Sequence, residues 1–143
     1  MGTPEYAAPE AARGVGHDAT VDYWGLGVLA HDLLAGETPF SAETPLLVYY
    51  RILRAPSHPP LDHLRHSRTW GNLCKRLLEP DPALRLGALS DGARDVRRHF
   101  AFSEIDWPAL VSGNVAPPAV PGGSVDKSPS PRRRSVFAGF GKP

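Results

Sequence analysis

The chain has 143 residues, enough for one domain with a hydrophobic core and too few for two domains of ordinary size. Apolar residues make up 41% and charged residues 22%, a globular balance; the net charge of +1 gives no indication of nucleic-acid or membrane binding, and no apolar run is long enough to span a membrane. A single cysteine, Cys74, excludes an internal disulfide and the multi-cysteine zinc motifs, and favours a reducing, cytoplasmic setting.

The first predicted elements are a loop and a strongly apolar helix. Residues 1–20 are predicted to be loop with a short turn at 8–12, because glycine and proline interrupt any periodic pattern. A helix is predicted from about Val21 to Ala35, where Gly36 provides a stop signal. Its large apolar residues cover almost the whole circumference, and such a helix belongs in the interior of a protein. They are Val21, Trp24, Leu26, Val28, Leu29, Leu33 and Leu34.

Two more helices are predicted in the middle of the chain. Thr44 and Pro45 are typical of an N-cap and first helical position, and they predict an amphipathic surface helix that ends at Pro56. Its apolar stripe is predicted to be Leu46, Tyr49, Tyr50 and Leu53. From Ser67, apolar residues recur at the ideal helical spacing. They are Trp70, Leu73, Cys74, Leu77 and Leu78.

The remaining residues predict a short helix and a tail. The helix is predicted at about 93–100, after a turn at 90–92, and no strand pattern or internal repeat is present. From about Val111 the chain is rich in proline, glycine and serine, which predicts an extended tail. Residues 127–143 hold five basic and no acidic residues, whereas the rest holds 11 basic and 15 acidic ones. The sequence therefore predicts a mainly α-helical, mildly acidic body and a basic tail.

Four segments, in order, resemble the C-terminal lobe of a serine/threonine protein kinase. They are residues 2–10, which end in Ala-Pro-Glu, residues 22–40 with Asp-Tyr-Trp-Gly-Leu-Gly, residues 77–87 with Asp-Pro and Arg-Leu-Gly, and residues 99–118. The last segment resembles the AGC group, and Gly-His-Asp at 16–18 looks most similar to a cGMP-dependent kinase. The resemblance implies a truncated, helical large lobe. Residues 1–107 would be a partial kinase domain, and residues 108–143 an AGC-like tail that is largely extended or disordered.

The resemblance implies structural roles for Glu10, Asp22, Trp24 and Arg85. Glu10 and Arg85 resemble a buried ion pair that ties the activation segment to the lower lobe, and only arginine offers a planar fork for a carboxylate. The alternative is two independent surface charges. Asp22 resembles a carboxylate that accepts N–H groups of the catalytic loop, or it is simply a helix N-cap or first-turn acid. Trp24 belongs to the family's central helix.

The resemblance also implies residues that read a protein substrate. Thr3 resembles the hydroxyl that bonds the catalytic aspartate, and Pro4 follows it. Asp32 lies where AGC kinases place an acid that reads an arginine two residues before the phosphoacceptor, and Glu5 would read more distant basic residues. An acid on an apolar helix is costly unless it is paired, which favours a role for Asp32. The implied partner is a protein or peptide with basic residues, without nucleic acid or a membrane.

The tail contains a candidate phosphorylation site at Ser135. Residues 132–136 read Arg-Arg-Arg-Ser-Val, which is typical of substrates of basophilic kinases. The alternative is an unmodified, solvated basic tail.

The parts that transfer a phosphoryl group are absent from these 143 residues. There is no Gly-rich phosphate loop, no His-Arg-Asp loop and no Asp-Phe-Gly. We therefore expect no catalytic residue, no metal site and no ATP or Mg²⁺ in this chain, since these would belong to a complete kinase with its N-lobe and catalytic loop. The chain would be inactive, marginally stable and apolar at its surface. The alternative is a non-catalytic, kinase-derived binding module or pseudosubstrate.

Overall fold

The computed structural model describes residues 4–16, 18–54 and 68–117. These residues form α-helices and short 3-10 turns and contain no strand, which confirms the mainly α prediction for this part of the chain. The helices are α1 (Pro9–Ala12), α2 (Thr20–Ala35), α3 (Pro45–Leu53), α4 (Arg68–Leu77), α5 (Ala93–Arg97) and α6 (Trp107–Val111). In the described ranges, no helix has the length and apolar character needed to cross a membrane.

Contacts divide the chain into two units, residues 1–106 and residues 107–143. In the second unit, Trp107–Val111 is helical, and this helix includes the first residues of the segment predicted to be a largely extended tail. Pro108 is compatible with this helix because it stands in the first turn, where a missing N–H costs no hydrogen bond. The rest of the predicted tail from residue 118, with Ser135, lies outside the described residues.

Helix α2 is the centre of the first unit. Its start is organised by Asp18, whose Oδ1 accepts hydrogen bonds from Thr20 N at 2.8 Å and Thr20 Oγ1 at 2.6 Å. Its end is Gly36, whose φ of 81° is left-handed and is readily adopted by glycine. The helix occupies the predicted range to within one residue.

Only one face of α2 is covered by the described residues. Trp24, Gly27, Val28 and His31 are buried, whereas the opposite face is exposed. That face consists of Leu26, Leu29, Leu33 and Leu34, of which Leu33 is 78% exposed. The expectation of burial on all sides is therefore wrong for this part of the chain, because α4 and the 3-10 turn at 4–6 pack against one side only. The expectation of apolar surface agrees with the exposed leucines.

Helix α3 begins as predicted but buries a different face. Thr44 Oγ1 accepts from Leu47 N at 3.3 Å, which confirms the N-cap. The buried residues are Val48 and Ile52, while Leu46 of the predicted stripe is 78% exposed, so the predicted stripe is wrong. Every position of this helix is apolar or aromatic except Arg51, so the neighbours α1 and the turn at 4–6 decide which face is buried.

Helix α4 packs against α2 with the predicted stripe. Leu73, Cys74 and Leu77 are buried, and Trp70 is half-buried with its ring edge-on to Phe102 at 5.5 Å. Burial raises the pKa of the Cys74 thiol to about 11, so this residue packs as a small apolar group. The last predicted helix is shorter than expected, because α5 ends at Arg97 and His99 Nδ1 caps the next turn by accepting from Ala101 N at 3.2 Å.

The close approach of α2 and α4 occurs at Gly27. A Cβ at this position would lie 2.9 Å from Leu77 Cβ, whereas a Cβ at Gly25 on the same helix would meet no atom within 4 Å. We expect Gly27→Ala to destabilise the chain by about 1–3 kcal/mol through overpacking. Gly25→Ala is the control and is expected to stabilise by up to about 1 kcal/mol through helix propensity. Denaturant unfolding followed by circular dichroism measures both, and equal effects would contradict close packing at Gly27.

Candidate functional site

The Arg85 side chain connects several segments of the first unit. Its Nη1 and Nη2 donate to Glu10 Oε1 at 2.7 Å and Oε2 at 3.0 Å, which is a two-bond fork to one carboxylate. Nη1 also donates to Thr20 O at 2.9 Å, and Nε donates to Glu79 O at 2.9 Å. Both charged side chains are buried. A single guanidinium thus joins α1, the start of α2 and the chain after α4.

The Arg85 guanidinium also contacts an aromatic ring, and its charge is neutralised by Glu10. The Trp24 ring lies 5.2 Å from the Arg85 guanidinium carbon and stacks on Phe40 at 5.4 Å. Burial alone raises the pKa of Glu10, but the hydrogen bonds and charge of Arg85 outweigh it, and the net pKa lies below its ordinary value. Glu10 is therefore ionised at neutral pH, and the pair fixes α1 to the start of α2.

Two acids are held by side-chain hydrogen bonds at this turn. Tyr6 Oη donates to Asp32 Oδ2 at 3.2 Å, and Thr38 Oγ1 donates to Glu5 Oε2 at 2.8 Å. Partial burial and then the bond to Asp32 raise the pKa of Tyr6, so its hydroxyl stays protonated as a donor. Within the described residues, the second oxygen of each carboxylate accepts no hydrogen bond and remains available to a ligand.

The other predicted site residues are distributed unevenly. Pro4 begins the turn and is half-buried, whereas Thr3 lies outside the described residues. Asp22 is an exposed acid in the first turn of α2, the arrangement that its alternative interpretation expected. The N-terminal hydrogen bonds of α2 come from Asp18 instead.

Three residues of the site were not identified as important from the sequence. Tyr6 and Thr38 orient the two acids, and Tyr23 packs its ring against Gly87, two residues after Arg85. Tyr6 and Tyr23 stand inside the recognised motifs, which is the only signal in the sequence that could have pointed to them. No three or more His, Cys, Asp or Glu side chains in the described ranges are grouped so that they could hold a metal ion.

The sequence of the chain can now be compared with the sequences of known proteins. Residues 1–99 match the protein kinase domain, and the chain belongs to this family. This match confirms the kinase resemblance of the first three segments.

Similar proteins include cyclic-nucleotide-dependent kinases. The chain is 42% identical over 123 residues to the cGMP-dependent protein kinase, isozyme 1, of Drosophila melanogaster, covering 83% of this chain and 15% of that protein. It is 39% identical over 120 residues to the human cAMP-dependent protein kinase catalytic subunit PRKX, covering 84% of this chain and 33% of that protein. The chain thus spans between about a seventh and a third of the length of these relatives, and their names support the AGC-group assignment.

Proposed function

We propose that the chain is the peptide-substrate-binding part of an AGC-group serine/threonine protein kinase and corresponds to its C-terminal lobe. Residues 1–107 are the partial kinase domain, and residues 108–143 are an AGC-like tail. In a complete, cytoplasmic kinase this part supports ATP-dependent phosphorylation of serine or threonine near basic residues. Thr3, Pro4, Glu5 and Asp32 orient the substrate, while Glu10, Asp22, Trp24 and Arg85 maintain the scaffold. Ser135 of the tail is itself a substrate site.

The observation that carries this proposal is the pair of anchored acids, Glu5 and Asp32. Each carboxylate is fixed through one oxygen, by Thr38 or by Tyr6, and keeps the other oxygen for a ligand. A fixed carboxylate is a good acceptor for guanidinium, because the hydrogen bond is charge-assisted and less side-chain entropy is lost on binding. The class of ligand that fits is a peptide with basic side chains.

Peptide titrations test this function without requiring turnover. A fluorescent Arg-Arg-Ala-Ser-Val peptide is titrated into the 143-residue chain at low salt, where exposed charge interactions are least screened. We expect Asp32→Asn and Glu5→Gln each to weaken binding by about fivefold to tenfold, as for the loss of a charge-assisted hydrogen bond. Glu43→Gln is the matched control, because Glu43 is an exposed acid outside the pair. It is expected to bind as the unchanged chain does.

The outcome that contradicts the proposal is equal binding by all four proteins, or equal weakening by the Glu43 variant.

Titration with ATP and Mg²⁺ tests the catalytic part of the proposal. Since the Gly-rich phosphate loop, the His-Arg-Asp loop and Asp-Phe-Gly are absent from these residues, we expect no nucleotide binding and no transfer to the peptide.

A further inference from the structure

A cavity of about 360 Å³ lies between α4, the chain at 83–89 and α5. It has the size of a small-ligand or side-chain pocket. The residues that give it chemical character are Arg76, Leu84, Leu86, Leu89, Asp95 and Arg98. None of the substrate-orienting residues lines it, so it is separate from the anchored acids.

The cavity is lined in part by buried side chains. Leu86 and His99 are buried, and His99 Nδ1 accepts from Ala101 N, so Nε2 carries the proton and donates to Asn72 Oδ1 at 2.9 Å. Burial and then the charge of Arg76 lower the pKa of His99, which keeps the ring neutral at neutral pH. Arg85 also lines the cavity, but its charge is paired with Glu10, so the remaining positive charge comes from Arg76 and Arg98.

One of these arginines has no counter-ion among the described residues. Arg98 Nη1 binds Asp91 Oδ2 at 2.7 Å. The backbone carbonyl of Arg76 accepts from Leu86 N at 2.9 Å, whereas its side chain makes no hydrogen bond or ion pair within the described ranges. Arg76 is exposed and shares the cavity with Leu84, which is 74% exposed, and Leu89. A free guanidinium beside exposed apolar side chains matches a ligand that joins an anion to an apolar group.

We propose that this cavity binds an acidic segment of a protein partner, with a carboxylate on Arg76 and the next, apolar side chain on Leu84 and Leu89. A planar guanidinium can bind both oxygens of a carboxylate. Asp95 lines the same cavity and repels a second negative charge, so the site favours a carboxylate over a phosphate dianion. The ligand class is opposite in charge to the basic peptides that Glu5 and Asp32 would bind.

Three short peptides test the proposal on the full chain by NMR or calorimetric titration. They are acetyl-Ala-Glu-Leu-Ala-amide and the same peptide with glutamine or phosphoserine in place of glutamate. We expect the glutamine and phosphoserine peptides to bind at least fivefold more weakly than the glutamate peptide. Arg76→Gln is expected to weaken glutamate-peptide binding by about tenfold, the loss of a charge-assisted pair. Lys75→Gln is the control, since Lys75 is the neighbouring exposed cation and lies outside the cavity lining.

Asp95→Asn tests the selection between anions. Removing this carboxylate is expected to improve phosphoserine-peptide binding until it approaches that of the glutamate peptide. Equal binding of the glutamate and glutamine peptides overturns the proposal, and so does equal weakening by the Arg76 and Lys75 variants. Both arginine and lysine variants concern exposed side chains, and circular dichroism checks that their helices are unchanged.

Discussion

Replacing Arg85 by alanine is expected to destabilise the chain by about 3–5 kcal/mol, the cost of leaving a buried charge without its partner. In this variant the Glu10 carboxylate and the carbonyl groups of Thr20 and Glu79 lose the hydrogen bonds that Arg85 donates. This cost is a large share of the roughly 5–15 kcal/mol that stabilises an ordinary domain. Denaturant unfolding measures it. Arg85→Lys is expected to recover only part of the loss, because an ammonium group cannot bind both carboxylate oxygens and the two carbonyls.

The matched control is an exposed ion pair among the described residues of the first unit. Arg98 Nη1 lies 2.7 Å from Asp91 Oδ2, the same separation as in the buried pair, but the Arg98 side chain is 69% exposed. Arg98→Ala is expected to cost no more than about 1 kcal/mol. Equal losses for the two alanine variants would contradict a structural role for the buried pair.

The Glu10–Arg85 pair also makes the stability of the chain depend on pH, which apolar packing does not. The folded-state pKa of Glu10 lies below the ordinary 4.5, so its stabilisation is fully present above pH 4.5 and is lost as the pH falls through the folded-state value. Glu10→Gln is expected to be less stable than the unchanged chain at neutral pH and to lose less stability on acidification. If Glu10→Gln does not change how the free energy of unfolding depends on pH, other carboxyl groups cause the acid unfolding.

Gly87→Ala is expected to destabilise the chain by about 2–4 kcal/mol, since it combines a strained backbone with a steric clash. Gly87 has a φ of 95°, and a Cβ there would lie 2.7 Å from the ring of Tyr23. Either the ring or the chain that carries Arg85 must move. Denaturant unfolding again measures the change.

Gly36 provides the control for backbone strain alone. Its φ of 81° is also left-handed, but a Cβ there would meet no atom within 4 Å. Gly36→Ala is therefore expected to cost only about 1–2 kcal/mol. If Gly36→Ala and Gly87→Ala destabilise the chain equally, the contact between Tyr23 and Gly87 contributes nothing to stability. The Tyr23 ring alone then moves to relieve the clash.

The helices show which sequence patterns were sufficient. The range of α2 and the buried stripe of α4 were predicted, because Gly36 ends the first helix and the apolar residues of the second recur at a single helical spacing. The stripe of α3 was wrong, because apolar residues lie on more than one side of that helix and its own pattern does not select a face. The burial of α2 on all sides was predicted wrongly for the same reason. The sequence shows which residues are apolar enough to be buried, but the neighbouring elements determine which of them are buried.

The candidate site was also predicted only in part from the sequence. The partnership of Glu10 with Arg85 was anticipated from motifs that lie 75 residues apart. The carbonyl partners of Arg85, and the hydroxyl groups that hold the two acids, were not anticipated, because no spacing along the chain relates Tyr6 to Asp32 or Thr38 to Glu5. The cavity beside Arg76 depends on three separate segments and has no local motif at all.

By itself, the amino-acid sequence determined the helical class, the kinase family and the residues able to pair, since propensity, capping and motif order are local or linear properties. Only the tertiary structure decided which faces are buried, which acids keep a free oxygen and which arginine lacks a counter-ion. These properties depend on distances between segments remote in the chain, and burial and electrostatic interaction follow those distances rather than the order of residues.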